Sequence, residues 1–355
     1  MAHLLMSGYF GSGNIGDDAI LLGLINGLGQ SKHQVTVLSG APEETFRLYG
    51  LSAVPRREMD RVKDAIESCD ALVYPGGSIF QDVTSFKSVL YYSQLVKIAK
   101  SKGKKVILLG QGVGPLTGFL GKRAAASAFG MADVVAVRDP QSVATLKEIG
   151  VKNPPRITAD SAFMLPAPKL DEAQQGFNVG AMKSVGISLR PHGKSKQVVQ
   201  LFGELTRLLF QNNYMPVLIE MDRNEDGPLI QEIAKAQGGK IPDLRKLQTP
   251  MQLQQRLARM DSVIAMRLHA GILATTVGLS PLMVSYDPKV TAFAKMLDIG
   301  NAPAVDGLTA QRLFDMFQAH QQSRERNEKV VARKVEELRQ ASMANVDLLE
   351  QALRS

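Results

Sequence analysis

The 355-residue sequence contains one cysteine, five histidines and no tryptophan. Because Cys69 is alone, the chain can form neither an intrachain disulfide nor a thiolate metal cluster, which suits a reducing compartment. The histidines lack the i,i+4 spacing typical of metal ligands, so we expect no metal site. The longest uncharged stretches are broken by Gly and Pro, and residues 1–8 lack the basic start of a signal peptide. These absences predict a cytoplasmic protein.

Hydrophobicity and positive charge are what the sequence does contain. Hydrophobic residues make up 45% of the chain, which is enough for two sizeable cores. The 42 Lys and Arg residues outnumber the 34 Asp and Glu residues, giving a formal net charge of +8. This excess suits nucleic acid, an anionic membrane surface or a phosphorylated substrate. Few aromatic residues are interleaved with Lys or Arg, so we expect no nucleic-acid binding.

Short apolar runs alternate along the chain with segments of helical periodicity, which indicates a mostly parallel sheet with helices on both faces. The alternation is interrupted after residue 170 by a polar stretch and restarts near residue 183. We therefore predict an α/β protein with two doubly wound, Rossmann-like domains, 1–170 and 183–308, followed by a helical C-terminal segment, 309–355. Ligands bind at the carboxyl ends of strands in such folds, so a central cleft between facing domains is the expected site.

The loop after the first predicted strand contains the first candidate binding motif. Gly11, Gly13 and Gly16 match the G-x-G-x-x-G pattern of dinucleotide-binding loops. The second predicted strand, however, ends without the Asp or Glu that binds the ribose hydroxyls. The adjacent acids Asp17 and Asp18 either cap the following helix and favour its dipole, or place one carboxylate in the cleft to accept a hydrogen bond from an acceptor hydroxyl.

Two further glycine-rich turns follow predicted strands. Gly76 and Gly77 follow the strand that begins at Ala71, and residues 110–114 follow the strand that begins at Lys105. Glycine lets the backbone approach a ligand closely. A tight turn alone explains any single one of the three loops, but three at one edge of a sheet indicate a ligand site.

Basic side chains that follow predicted strands are candidates for binding an anion. They are Arg138, Arg190, Arg267 and Lys289. If they converge on one cleft, they suit a small anion that carries both a phosphate and a carboxylate. Alternatively, Arg138 and Lys289 form local ion pairs with Asp139 and Asp287. His269 opens a helix whose dipole favours an anion, or else it is a capping or packing residue.

These motifs occur in a specific order. The order is Gly-Asn-Ile-Gly-Asp-Asp, Pro-Gly-Gly-Ser, Gly-Gln-Gly-Val-Gly-Pro, Val-Arg-Asp, Thr-Ala-Asp-Ser-Ala-Phe, Ser-Leu-Arg-Pro and Arg-Leu-His-Ala-Gly. Over nearly the whole chain the set resembles the polysaccharide pyruvyl transferase family, most closely its CsaB branch. The resemblance implies an architecture similar to glycosyltransferases of the B type. It also implies transfer of the enolpyruvyl group of phosphoenolpyruvate, the co-substrate, onto a sugar as a 4,6-ketal with release of phosphate and without a cofactor.

The resemblance further implies roles for individual residues. The catalytic residues are Lys289, which binds phosphate or protonates the methylene carbon, His269, and Asp17 or Asp18 as the general base. The N-terminal domain takes the acceptor and the C-terminal domain takes phosphoenolpyruvate. The implied substrate-binding residues are Arg138, Arg190, Arg267, Leu268, Asn14, Gly76, Gly77 and Gln111.

The CsaB branch also implies an acceptor. It is an N-acetylmannosamine residue of a lipid-linked cell-wall polysaccharide precursor, and the finished ketal anchors surface-layer proteins. A lipid-linked acceptor implies peripheral contact with the inner face of the membrane. Two alternatives stay open. A nucleotide-sugar glycosyltransferase of the B type usually carries a Glu on its donor helix, which residues 272–276 lack, and a nonenzymatic sugar-binding protein is the other.

Overall fold

The computed structural model describes residues 1–29, 33–83, 86–170, 182–193, 195–239 and 241–355. The chain divides into two compact units. Unit 1 contains Met1–Leu165 and Leu338–Ser355, and unit 2 contains Pro166–Glu337. Residues 171–181, most of the polar stretch that the sequence suggests as a domain boundary, lie outside the described residues.

Unit 1 is built on a parallel sheet. Its strands are His3–Ser7 (β1), Gln34–Ser39 (β2), Ser52–Pro55 (β3), Ala71–Tyr74 (β4), Gly77–Phe80 (β5), Lys105–Val113 (β6), Val134–Val137 (β7) and Arg156–Ile157 (β8). Their order across the sheet is β3-β2-β1-β4-β6-β7-β8, and β5 pairs with β6. The chain therefore starts in the middle of the sheet and winds outward in both directions, as in a Rossmann-like fold.

Helices cover both faces of this sheet. They are Ile15–Leu28 (α1), Pro42–Tyr49 (α2), Met59–Ser68 (α3), Phe86–Ser101 (α4), Phe119–Met131 (α5) and Pro140–Glu148 (α6), with a 3-10 turn at Ser161–Met164. Side chains of β1 alternate between the faces: Leu5 packs in one buried cluster with α3, α4 and α5, whereas Leu4 and Met6 pack in another with α1. Burying each such side chain stabilises the fold by about 1.5–3 kcal/mol.

Unit 2 repeats this plan with a smaller parallel sheet. Its strands are Lys183–Ser188 (β9), Tyr214–Ile219 (β10), Asp243–Leu244 (β11), Ser262–Ala265 (β12) and Leu282–Met283 (β13), and its helices include Ser195–Gln211 (α7), Asp226–Ala236 (α8), Pro250–Leu257 (α9), Leu268–Thr276 (α10), Pro288–Leu297 (α11) and Ala310–Gln322 (α12). The strand order is β11-β10-β9-β12-β13. The prediction of two doubly wound α/β domains is confirmed.

The C-terminal helix Arg324–Arg354 (α13) does not form a segment of its own with α12. Residues up to Glu337 belong to unit 2, and the rest of α13 belongs to unit 1. There its apolar face packs with α1 on the sheet, through side chains such as Leu349. Ser342 Oγ donates to the Asp160 carbonyl at 2.8 Å, and Asn345 Nδ2 donates to the Ala159 carbonyl at 3.0 Å. No helix in the described parts of the chain is long and apolar enough to cross a membrane.

Candidate active site

The loop between β1 and α1 carries Asn14 and the two adjacent aspartates. Asn14 caps the helix, because its Oδ1 accepts hydrogen bonds from the backbone amides of Gly16 at 2.9 Å and Asp17 at 3.3 Å. Such a cap satisfies amides that the first helical turn leaves without a partner. The side chain of Asn14 therefore has a structural task, and its implied contact with substrate stays a prediction.

Asp17 and Asp18 lie in different environments. Asp18 is buried, and its carboxylate accepts hydrogen bonds from the Tyr49 hydroxyl at 2.9 Å and the Gly11 amide at 3.3 Å. Burial raises the pKa of Asp18 to about 7, although both hydrogen bonds oppose the shift. Asp17 is only partly buried, and its Oδ1 lies 3.5 Å from where a β-carbon on Gly77 would be. Asp17 is thus the more accessible of the two carboxylates.

Gly76 and Gly77 lead directly into β5, a strand that the sequence pattern does not reveal. Their φ angles of 146° and 95° are values that L side chains rarely adopt. A β-carbon on Gly76 would also lie 2.9 Å from Ile20 Cγ2 and 3.3 Å from the Gly110 carbonyl oxygen. These glycines are required by the local backbone, and the carboxylate of Asp17 lies close to Gly77.

The predicted turn at residues 110–114 is for the most part a continuation of β6. The strand extends to Val113, and its pairing with β7 shifts register between Leu108 and Gln111. Gln111 is fully buried, and its Nε2 donates to the carbonyls of Tyr74 at 3.2 Å and Leu109 at 2.9 Å. These bonds fix the Gln111 side chain to the backbone of the sheet, so its implied contact with substrate also stays a prediction.

Arg138 follows β7 and is 6% exposed. Its Nη1 lies 2.6 Å from Asp160 Oδ2, and its Nη2 donates to Ser78 Oγ at 2.8 Å. A second carboxylate, that of Asp139, lies 3.7 Å from Nε. A β-carbon on Gly112 would be 2.6 Å from the guanidinium, so this glycine leaves room for Arg138. The local ion pair considered from the sequence exists, and the stronger partner is Asp160 rather than Asp139.

Arg267 is the most strongly held basic residue of unit 2. Its Nε lies 3.1 Å and 3.2 Å from the two carboxylate oxygens of Asp226, and Nη2 contacts the same carboxylate. Nη2 also donates to Glu225 Oε2 at 2.8 Å. Burial alone lowers the pKa of Arg267, but Asp226 and Glu225 outweigh burial and raise it. Arg267 therefore stays charged at any physiological pH.

Arg190 and Lys289 share the ring of Tyr286. Arg190 Nη1 donates to the Tyr286 hydroxyl at 2.9 Å, and its guanidinium carbon lies 4.5 Å from the ring centroid. Lys289 Nζ lies 5.6 Å from the same centroid and 3.5 Å from Asp287 Oδ2. Arg190 Nη2 also lies 3.5 Å from Glu225 Oε2. Glu225 thus joins Arg190 to Arg267, and Tyr286 joins Arg190 to Lys289.

Leu268 and His269 begin α10, directly after Arg267. The Leu268 side chain is buried, and its implied contact with substrate stays a prediction. His269 is partly buried in the first helical turn, where backbone amides and the helix dipole favour a negative charge. In the chain, His269 lies two residues after Arg267, whose guanidinium Asp226 and Glu225 hold.

Three of the four predicted cations lie together in unit 2, and Arg138 lies in unit 1. The predicted site does not include the side chains that hold these cations. They are Ser78, Asp160, Glu225, Asp226 and Tyr286. It also does not include Tyr49, whose hydroxyl donates to Asp18. Tyr286 could be predicted from the sequence, because it precedes Lys289 in the segment that follows the same predicted strand. Among the described residues, no three His, Cys, Asp or Glu side chains are grouped so as to hold a metal ion.

A comparison with protein-family models decides the family. The model for polysaccharide pyruvyl transferases matches residues 14–288, which is more than half of the chain. The chain belongs to the polysaccharide pyruvyl transferase family. The sequence matches no curated protein. A member of this family is a transferase that acts on a saccharide acceptor.

Solved structures similar to this pyruvyl transferase family member share its fold. The UDP-GlcNAc 2-epimerase from Neisseria meningitidis, bound to UDP-GlcNAc, has a TM-score of 0.64 at 13% identity, covering 98% of this chain and 100% of the epimerase. The glycotransferase of kitacinnamycin has a TM-score of 0.55 at 16% identity over 99% of both chains. The glycosyltransferase SnogD from Streptomyces nogalater has 0.52 at 14%, covering 99% and 100%. These likenesses show two Rossmann-like domains of the glycosyltransferase B type.

Proposed function

We propose that this protein transfers the pyruvyl group of phosphoenolpyruvate onto a saccharide as a ketal and releases phosphate. The observation that carries the proposal is the basic cluster of unit 2, in which Arg190, Arg267 and Lys289 are linked through Glu225 and Tyr286. Phosphoenolpyruvate carries a carboxylate and a phosphate on three carbons. Guanidinium groups bind such oxyanions in bidentate fashion, and an ammonium binds phosphate as a point charge.

The ketal forms in two steps, attack by a first sugar hydroxyl and attack by a second one after phosphate leaves, and the basic cluster suits both steps. Protonation of the methylene carbon of phosphoenolpyruvate gives a methyl group and a cationic centre at the adjacent carbon, which one sugar hydroxyl attacks with loss of its proton. The carbon–oxygen bond to phosphate then breaks, and a second hydroxyl closes the ketal with loss of its own proton. We assign donor anchoring to Arg190, Arg267 and His269. Lys289, 25% exposed, is the proposed proton donor.

The acceptor belongs beside Asp17 in unit 1. Its partly buried carboxylate can accept the proton of the attacking hydroxyl. By its resemblance to the CsaB branch, the proposed acceptor is an N-acetylhexosamine such as N-acetylmannosamine, joined as a 4,6-ketal in a lipid-linked cell-wall precursor whose product anchors surface-layer proteins. The net charge of +8 supports work at the inner face of the membrane, with the protein itself in the cytoplasm.

Nucleotide-sugar transfer is the second candidate, because the similar solved structures include a glycosyltransferase and an epimerase with UDP-GlcNAc bound. In the described structure, α10 carries no acidic residue that can hold a ribose. A nonenzymatic sugar-binding protein, the third possibility, does not need a cluster of three cations with paired counter-ions.

The proposal is tested by phosphate release. Purified protein is mixed with phosphoenolpyruvate and a panel of synthetic and membrane-extracted N-acetylhexosamine acceptors, and the product is identified by mass spectrometry. We expect acceptor-dependent phosphate release and a product heavier by one pyruvyl ketal. A folded protein that fails to bind phosphoenolpyruvate contradicts the proposal, and turnover of a UDP-sugar instead supports the second candidate.

Lys289→Met tests the proton donor. We expect the turnover number to fall by about 10²–10⁴, the usual contribution of a general acid, with an unchanged unfolding midpoint. The matched control is Lys295→Met on the same helix, where the side chain is exposed. Full activity of Lys289→Met removes this residue from the mechanism.

A further inference from the structure

Unit 1 exposes a group of large apolar side chains at one end of two adjacent helices. They are Val83, Phe86, Leu90, Phe119 and Leu120, and we call them the α4–α5 patch. Val83 is 65% exposed, Phe119 is 73% exposed and Leu120 is 60% exposed. Single exposed apolar residues are common, but a group of them marks a surface that another molecule covers.

The two halves of the α4–α5 patch are held together by Asp82. Its carboxylate accepts hydrogen bonds from the amides of Thr117 at 2.8 Å and Gly118 at 2.7 Å, so the start of α5 lies against the segment that leads to α4. Val83 follows Asp82 directly, and Phe119 follows Gly118. Phe86 and Leu90 are one helical turn apart on α4 and so lie on the same face of that helix.

Basic side chains accompany the patch. Lys87 is adjacent to Phe86, and Arg123 lies one turn after Phe119 on the same face of α5. Neither residue has an ion-pair partner within the described chain, whereas Lys122 pairs with Glu148 at 2.8 Å. The carboxylate of Asp82 is occupied by amides at a helix N-terminus, which offset its charge.

We infer that the α4–α5 patch docks unit 1 on an anionic lipid bilayer. Apolar side chains bordered by unpaired Lys and Arg match the acyl boundary and the headgroups of such a surface. A protein partner or a second copy of this chain would need acidic groups opposite Lys87 and Arg123. The choice of a bilayer also rests on the proposed function, in which the acceptor is lipid-linked.

The position of the patch fits delivery of a lipid-linked acceptor. β5 runs from Gly77, beside Asp17, towards Val83, and these ends are six residues apart in the chain. At about 3.3 Å per residue the distance between them is at most about 20 Å. A sugar on a lipid carrier can therefore reach Asp17 while the α4–α5 patch contacts the surface in which its lipid is embedded.

Sedimentation with vesicles tests the inference on the whole protein. Vesicles of equal parts phosphatidylcholine and phosphatidylglycerol are compared with vesicles of phosphatidylcholine alone. We expect the anionic vesicles to bind the protein, added salt to weaken binding, and Phe119→Ser/Leu120→Ser to lose about tenfold or more in affinity. Phe46→Ser is the matched control, because Phe46 is also exposed but lies on α2, outside the patch.

Several outcomes overturn the inference. These are no binding to anionic vesicles, equal binding to neutral ones, or equal losses in the patch variant and Phe46→Ser. Self-association that Phe119→Ser/Leu120→Ser abolishes, without vesicle binding, assigns the patch to a second copy instead. Phosphate release by the unsubstituted protein with a water-soluble acceptor is measured in parallel, so that failure of the proposed chemistry with intact vesicle binding is recognised separately.

Discussion

Each unit carries a pair of adjacent acidic residues at the start of a helix. In both pairs, one side chain is buried and the other is partly exposed. In unit 1, Asp18 is buried and Asp17 is partly exposed at α1. In unit 2, the Asp226 side chain is 0% exposed and the Glu225 side chain is 41% exposed at α8. One member of each pair is fixed by the fold, and the other is accessible to a ligand.

The buried members differ in what neutralises them. Asp226 faces the guanidinium of Arg267 and accepts hydrogen bonds from the amides of Met221 and Asp222. Within the described residues, Asp18 accepts hydrogen bonds from a hydroxyl and an amide but faces no cation, and burial raises its pKa to about 7. The buried acid of unit 2 thus holds an arginine in place, whereas the buried acid of unit 1 has a raised pKa because no counter-charge in the described part of the chain offsets its burial.

The largest expected effect comes from separating the buried ion pair of unit 2. Arg267→Met leaves Asp226 buried without its counter-charge, and we expect a loss of about 3–5 kcal/mol in the free energy of unfolding in urea. The double variant Asp226→Asn/Arg267→Met should recover most of that stability but not the binding of phosphoenolpyruvate. If the double variant binds phosphoenolpyruvate normally, Arg267 is structural and the donor site lies elsewhere.

The sequence predicts the basic residues of the unit 2 cluster better than it predicts the acidic residues that hold them. Arg190, Arg267 and Lys289 could be selected because each follows an apolar run, and strand ends meet at one sheet edge. Glu225 and Asp226 could not be paired with them, because Arg267 is 41 residues from Asp226 along the chain. A contact at such separation is set by the strand order of the folded sheet, which local patterns do not contain.

The same limit applies to the fold. Long apolar runs such as β1 and β9 are clear from hydrophobicity, since both faces of a parallel strand are buried. β5 and the second half of β6 escape prediction because glycine breaks the apolar pattern at residues 76–77 and 110–112. There the backbone angles of the glycines, rather than side-chain burial, determine where each strand begins or continues.

The next expected effect separates the two acids of unit 1. Asp17→Asn should lower the turnover number by about 10²–10⁴ with an unchanged unfolding midpoint, because Asp17 is the proposed base and contributes no buried charge. Asp18→Asn should instead change stability and its dependence on pH. The amide has nearly the shape of the carboxylate, and the Tyr49 hydroxyl can turn to accept a hydrogen bond from it.

The sign of the pH effect follows from the raised pKa of Asp18. The folded chain holds this proton more tightly than the unfolded chain, so the stability it contributes is complete below about pH 4 and is lost as pH rises to about 7. Asp18→Asn should therefore be the more stable form at pH 8 by up to about 4 kcal/mol, with no such gain at pH 4. Thermal unfolding across this range measures the difference, and a destabilised Asp18→Asn at pH 8 contradicts it.

The smallest expected effect concerns Glu225. Its carboxylate lies between Arg267 at 2.8 Å and Arg190 at 3.5 Å, where an anionic substrate group would bind, and its side chain is exposed enough to move away. A ligand must then displace this carboxylate. Glu225→Gln should lower KM for phosphoenolpyruvate by about two- to fivefold, because an exposed ion pair contributes at most about 1 kcal/mol.

The control for this effect is Glu232→Gln, an exposed position on the same helix. It should leave KM for phosphoenolpyruvate unchanged. A lower KM in both variants would instead mean that removing any negative charge from this helix strengthens binding. If Glu225→Gln raises KM instead, Glu225 orients the two arginines for the donor. Glu225 would then hold arginines in place, as Asp226 does. The contrast between one structural and one ligand-accessible acid would apply only to Asp18 and Asp17 of unit 1.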